Sequence, residues 1–158
     1  MCEGHRLRLE WVDRIGDQDA SLIQGFHDVM SEHQLDFTLS FRWLAEEANQ
    51  TIDNSPIPEL FKAPETLLDW RSLWEARRAQ NKGDTETISQ TMLSVNPAVI
   101  PRNHLVQAAI DLAESGDINF LLSSSKRWCK PFEWQENDIE WARSPSAEER
   151  ITRTFCGT

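Results

Sequence analysis

Four histidines, three cysteines and six glycines are the residues of this 158-residue sequence whose types could hold a metal, form a reactive thiolate or cradle a phosphate. Their spacing argues against each. His5, His27, His33 and His104 form no HExxH or HxH, and the step from His27 to His33 puts those two on different faces of a helix. Cys2, Cys129 and Cys156 are odd in number, far apart and without a CxxC, so neither a zinc site nor a disulfide framework is expected. Gly4, Gly16, Gly25, Gly83, Gly116 and Gly157 are too dispersed for a Walker loop or a dinucleotide fingerprint, which cluster glycines so that backbone amides can reach phosphate. No GxSxG elbow surrounds any serine, and Ser123-Ser124-Ser125 reads as a polar helix end. No catalytic, cofactor-binding or metal residue is assigned on these grounds.

The charged clusters are less decisive. Glu46-Glu47, Glu148-Glu149 and the stretch from Glu133 to Glu140 read as solvated surface, because nothing in the sequence fixes two carboxylates beside a common apolar pocket. Lys126, Arg127 and Lys130 around Trp128 could bind a phosphate or an acidic partner; cations favoured by a helix C-terminus explain the first two equally well. In the segment from Ser94 to Leu105, Asn96 can cap with Pro97 at a first helical position. Arg102 and Asn103 stand where the next helix begins, so these polar residues are expected to lock a junction between helices.

Lys plus Arg number 16 against 26 Asp plus Glu, a net charge of −10 with a pI near 4.8. That balance lacks the basic footprint of a nucleic-acid binder and would be repelled by anionic lipid, so neither partner is expected. Hydrophobic residues are 39% and the mean hydropathy is −0.54, which suits a globular chain rather than a disordered one. No apolar run reaches the ~18 residues of a membrane span, and the N-terminus has no secretory-type stretch, so the expected location is intracellular.

The elements that must position these residues read as all-α. Leu22, Ile23, Phe26, Val29 and Met30 form one face of a helix within Asp19 to His33. A second helix covers about 37 to 49, with Asp36 placed to accept its free N–H groups. Pro56, Pro58 and Pro64 make Asn49 to Pro64 a connector. Leu67, Trp70, Leu73 and Trp74 mark a third helix that ends at Gly83, and Asp84 caps a fourth bearing Ile88, Met92 and Val95, which Pro97 stops at Asn96. Leu105, Ala108, Ala109 and Leu112 face one way on a fifth, closed by Gly116 and Asp117, and Ile118, Leu121 and Leu122 lie on a shorter sixth. The expectation is a bundle of about six helices over residues 1–130 and an irregular tail over 131–158, whose Trp134, Trp141 and Phe155 pin it to something. Gly83-Asp84 and Gly116-Asp117 are 33 residues apart, but the segments around them match neither a tetratricopeptide nor an ankyrin pattern.

Around that same junction the sequence resembles a known family. Met92-Leu-Ser-Val-Asn-Pro97, followed by Arg102-Asn-His-Leu-Val-Gln-Ala-Ala-Ile-Asp-Leu-Ala-Glu-Ser-Gly-Asp117, is similar to a signature near the C-terminus of the selenoprotein O family. Asp36-Phe-Thr-Leu-Ser-Phe-Arg42-Trp-Leu and Trp11-Val-Asp-Arg-Ile-Gly16 resemble upstream elements of that family. Lys130-Pro-Phe132, Glu140-Trp-Ala142 and Thr154-Phe-Cys156-Gly-Thr158 resemble downstream ones. Pro101, Pro145, Gly157 and Thr158 depart from the pattern.

The resemblance implies a protein adenylyltransferase with a kinase-like fold, which uses ATP with Mg²⁺ or Mn²⁺ to transfer AMP to hydroxyl side chains of protein substrates. It further implies that this chain is the C-terminal helical part of such an enzyme, with the kinase-like region upstream as its partner and with Met1 not necessarily the natural start. The location implied is the cytoplasm in a bacterium and the mitochondrion in a eukaryote. Cys156 takes the place of the family's terminal redox residue and is the redox candidate. Arg42, Asn96, Pro97, Arg102, Asn103, Gly116 and Asp117 are the structural motif. The alternative expectation is a stand-alone helical interaction module that binds a partner through Trp70, Trp74, Trp128 and Trp134.

Overall fold

The computed structural model describes residues 17–49, 55–80 and 84–150. Eight helices and no strand are present among them: α1 (Asp17–Glu32), α2 (Phe37–Glu47), α3 (Ile57–Leu60), α4 (Glu65–Arg78), α5 (Thr85–Val95), α6 (Asn103–Glu114), α7 (Asn119–Trp128) and α8 (Ile139–Ala142). The six longer ones are those the apolar spacing predicts. The one-turn helices α3 and α8 are too short to leave a periodic signal.

Local chemistry sets the boundaries. Asp36 Oδ1 accepts the amide of Leu39 at 2.9 Å and so starts α2, and Asp84 Oδ1 does the same for Thr87 at 2.9 Å in α5. Gly116 takes a φ of +95°, the left-handed conformation that ends α6 after Ser115. Asp117 Oδ1 then accepts the amide of Asn119 at 2.9 Å, opening α7. Asn96 closes α5 instead of capping a following helix: its φ and ψ are extended and its Nδ2 donates to the Met92 carbonyl at 2.9 Å. Pro97 lies in the extended connector, so the expected N-capping role is corrected. A proline disfavours helix in the residue before it, and that effect dominates here.

α2 is the axis of the fold. Every residue from Leu39 to Glu46 is buried, with α5 on one side and α3 on another. Phe26 of α1 meets Phe41 edge-on at 5.0 Å and stacks on Trp70 of α4 at 4.5 Å, and Trp70 lies 6.4 Å from Trp74. Each such fully buried side chain contributes roughly 1.5–3 kcal/mol of transfer free energy. α1 lies against α4, with the Trp70 indole beside Gly25. Trp70 and Trp74 are thus core residues, 5% and 0% exposed, and cannot serve as the partner-binding surface of the interaction-module reading.

Residues 131–150 lie on the helices. The Pro131 carbonyl accepts the amides of Ala98 and Val99 at 2.7 and 3.1 Å, Trp141 stacks on Phe120 at 5.4 Å, and Ala142 is fully buried. Trp134 and Trp141 therefore pin this segment to the chain's own helices. Phe155 lies outside the described residues.

Candidate functional site: the polar junction and the cavity beside it

The motif residues meet at two places. At the first, Arg42 of α2 donates from Nε to Glu46 Oε1 at 2.7 Å and from Nη1 to the carbonyls of Asn96 at 3.2 Å and Phe132 at 2.9 Å. Glu46 also accepts the Trp134 indole N–H at 2.6 Å and the Ser55 hydroxyl. The guanidinium lies 5.1 Å from the Trp134 ring. Burial pulls the Arg42 pKa below its ordinary value, while Glu46 opposes that shift. Glu46 is 8% exposed, so its expected place on a solvated surface is corrected: the buried carboxylate is paired with Arg42, and both of its oxygens accept hydrogen bonds.

The second meeting point is the start of α6. Arg102 forks onto Asp36, with Nη1 to Oδ2 at 2.6 Å and Nη2 to Oδ1 at 3.2 Å, and Ser144 donates to the same carboxylate at 2.8 Å. Asp36 thus caps α2 and anchors α6. Burial raises its pKa, but the bonds from Arg102, the Leu39 amide and Ser144 outweigh that and hold it below the ordinary carboxylate value. The expected interhelical lock is therefore built from Arg42 and Asn96 at one contact and from Arg102 at the other. Asn103 is exposed at the first helical position, and Gly116 and Asp117 act at the far end of α6.

Beside Arg102 opens a cavity of about 510 Å³, walled by Pro101, Arg102 and His104 on one side and by Pro145, Glu149 and Arg150 on the other. Arg143 forks onto Glu149 at 2.6 and 2.7 Å, and the Ser146 amide donates to Glu149 at 2.9 Å. Those bonds hold the Glu149 pKa well below the usual carboxylate range. His104 is shifted down, chiefly by burial, with Glu149 opposing and Arg143 and Arg102 adding to the shift. Sequence reasoning missed this cavity, since His104 and Glu149 are 45 residues apart and share no motif.

The basic group around Trp128 resolves differently for its members. Arg127 is buried and forks onto Asp138 at 2.5 and 2.6 Å, and it also donates to the carbonyls of Lys130 and Glu133. It is a structural residue here, not a phosphate ligand, and Asp138 is no surface acid. No cluster of potential metal ligands occurs among the described residues, nor does any of their helices have the length and apolarity to cross a membrane. Cys156 lies outside the described residues.

Comparison with known proteins bears on the motif. Residues 5–127 match the family model of protein adenylyltransferase SelO. A protein nucleotidyltransferase YdiU of Rhizobium rhizogenes is 36% identical over 165 residues, covering 98% of this chain and 33% of that protein. The YdiU of Nitrobacter winogradskyi is 37% identical over 155 residues, covering 98% of this chain and 30% of its own length, and that of Brevibacillus brevis is 34% identical over 143 residues, covering 90% and 28%. The chain spans about a third of the length of the curated relatives it matches. With the family model and these relatives covering the helices and the junction residues just described, the chain belongs to the SelO family of protein adenylyltransferases.

Proposed function

We propose that this chain serves as the C-terminal helical region of a protein adenylyltransferase. In this reading it supports a kinase-like catalytic region that transfers AMP from ATP, with Mg²⁺ or Mn²⁺, to hydroxyl side chains of protein substrates in the cytoplasm. The observation that carries the reading is the outer face of the last long helix pair. Leu112, Ile118, Leu121 and Leu122 are 39, 53, 38 and 51% exposed at the α6–α7 end, although the apolar spacing of these helices is that of a buried face. Exposed apolar side chains grouped in this way mark an interaction surface, and the relatives are about three times as long as the chain. Family membership supplies the nucleotidyl-transfer chemistry. Within this reading Cys156 is the redox-regulatory residue.

The test is the mass of the native polypeptide, detected with an antibody raised against these 158 residues. A band about three times heavier than 18.3 kDa that transfers AMP supports the reading. A band at 18.3 kDa, coupled with the absence of any complex that transfers AMP, sinks it. The isolated chain is expected to give no saturable calorimetric signal with Mg·ATP.

A further inference from the structure

The outer face of α7 is ordered as well as apolar. Ile118, Leu122, Ser125 and Cys129 follow one another at steps of four, three and four residues, the spacing of a seam on which a second helix packs. All four are exposed, Ile118 by 53% and Leu122 by 51%, with the free thiol of Cys129 open to solvent at the far end. At about 1.5 Å per residue the seam runs roughly 16 Å, three turns of helix. The chain itself uses the opposite face of α7, where Ser124 and Arg127 are buried and Phe120 stacks on Trp141.

Two further features say what kind of surface fits. The Ser125 hydroxyl donates to the Leu121 carbonyl at 2.8 Å, so this part of the seam is small and its polar group is already satisfied. Lys126 adjoins the seam and Lys130 lies one turn further on. Neither forms an ion pair among the described residues, whereas Arg127 between them is held by Asp138. In a sequence of net charge −10, two unpaired cations beside an apolar seam are met by a carboxylate from outside the chain.

We propose that α7 docks against a helix of the catalytic region, which lays apolar side chains along Ile118 and Leu122, approaches closely at Ser125 and Cys129, and sets a carboxylate against Lys126. The inference rests on the function proposed above. A seam at this spacing selects a helix rather than a strand or loop, and the lysines at its edge select an acidic rim. The chain covers 33% of the Rhizobium rhizogenes relative, and the helix belongs to the part of such a protein that the chain does not span.

Cys129 reports the docking directly. The native polypeptide and the isolated 158-residue chain are treated with N-ethylmaleimide under the same conditions, and modification of Cys129 is followed by peptide mass spectrometry. Alkylation in the native polypeptide is expected to be at least about tenfold slower, because the thiol reacts only when the covering helix lifts. Ser125→Trp and Lys126→Glu change exposed positions. Each is expected to leave thermal unfolding of the isolated chain unchanged and, in the native polypeptide, to bring Cys129 back towards the rate of the isolated chain. A native polypeptide of 18.3 kDa without a catalytic partner overturns the proposed function and this inference together. A heavier polypeptide that transfers AMP, yet whose Cys129 reacts as fast as in the isolated chain, overturns this inference alone. Protection that either substitution leaves intact overturns it too, since the close approach at Ser125 and the charge at Lys126 are both required.

Discussion

Trp134 donates its indole N–H to Glu46 at 2.6 Å, a bond that joins the last part of the described chain to the central helix across 88 residues of sequence. Because the same Oε1 accepts Arg42 Nε at 2.7 Å, the two donors share one buried acceptor and their losses are not equivalent. Trp134→Phe removes one charge-assisted bond while keeping much of the aromatic contact, and should cost about 1.5–3 kcal/mol. Glu46→Ala leaves the Arg42 guanidinium buried and unpaired, and should cost about 3–5 kcal/mol. Urea unfolding of the two variants gives the order, and equal losses would mean that Glu46 does not neutralise Arg42.

Acid should weaken the junction in two stages. His104 has a folded pKa below its ordinary value near 6.5, with Arg102, Arg143 and Glu149 as its charged neighbours. The unfolded chain therefore takes up the proton first, and stability falls as pH drops below about 6.5. Asp36 also has a lowered pKa, so the stability from its Arg102 fork is complete above its unfolded value near 3.8 and is lost as pH falls through the lower folded one. Thermal unfolding from pH 7 to 3 should show the first decline in the native chain and not in His104→Gln. A first decline that survives the substitution would assign it to another group.

What the sequence made legible follows from periodicity and caps. The six longer helices, the Asp36 and Asp84 caps and the Gly116 stop all depend on neighbours within four residues, so they can be read along the chain. Glu46 and Arg127 were not legible, because a charged residue in a sequence looks solvated until its partners are known. Arg42 stands only four residues from Glu46, but the far-off Trp134 also donates to that carboxylate, and Arg127 is paired with Asp138 eleven residues on. The cavity beside His104 was hidden for the same reason: its walls come from the α6 start and from residues 145–150. Ile118, Leu121 and Leu122 have the spacing of a core face, yet the described chain leaves 53, 38 and 51% of them exposed, and spacing does not distinguish a core face from a docking face.

Leu122 tests that exposed face. At 51% exposure it contributes little to packing within the chain, so Leu122→Asp should change stability by no more than about 0.5 kcal/mol. If the face docks on the catalytic region, the same substitution should lower the affinity of the chain for that region when the two are mixed. A large loss of stability in the isolated chain would instead make Leu122 part of its own core.

Two glycines should respond to alanine with opposite signs, and the reason is local. Gly25 lies inside α1, where a Cβ would stand 3.4 Å from the Trp70 ring, an ordinary contact distance. Glycine is a poor helix residue because its unfolded chain is so free, so Gly25→Ala should stabilise by about 0.5–1 kcal/mol, provided that Trp70 keeps its place. Gly116 has open space around it, yet its φ of +95° is one that an alanine adopts only under strain. Gly116→Ala should therefore destabilise by roughly 1 kcal/mol or more, without any clash to relieve. Chemical denaturation of the pair separates the effects: a neutral Gly116→Ala would show that α6 can end in another conformation, and a destabilised Gly25→Ala would show that the α1–α4 contact has no room to give.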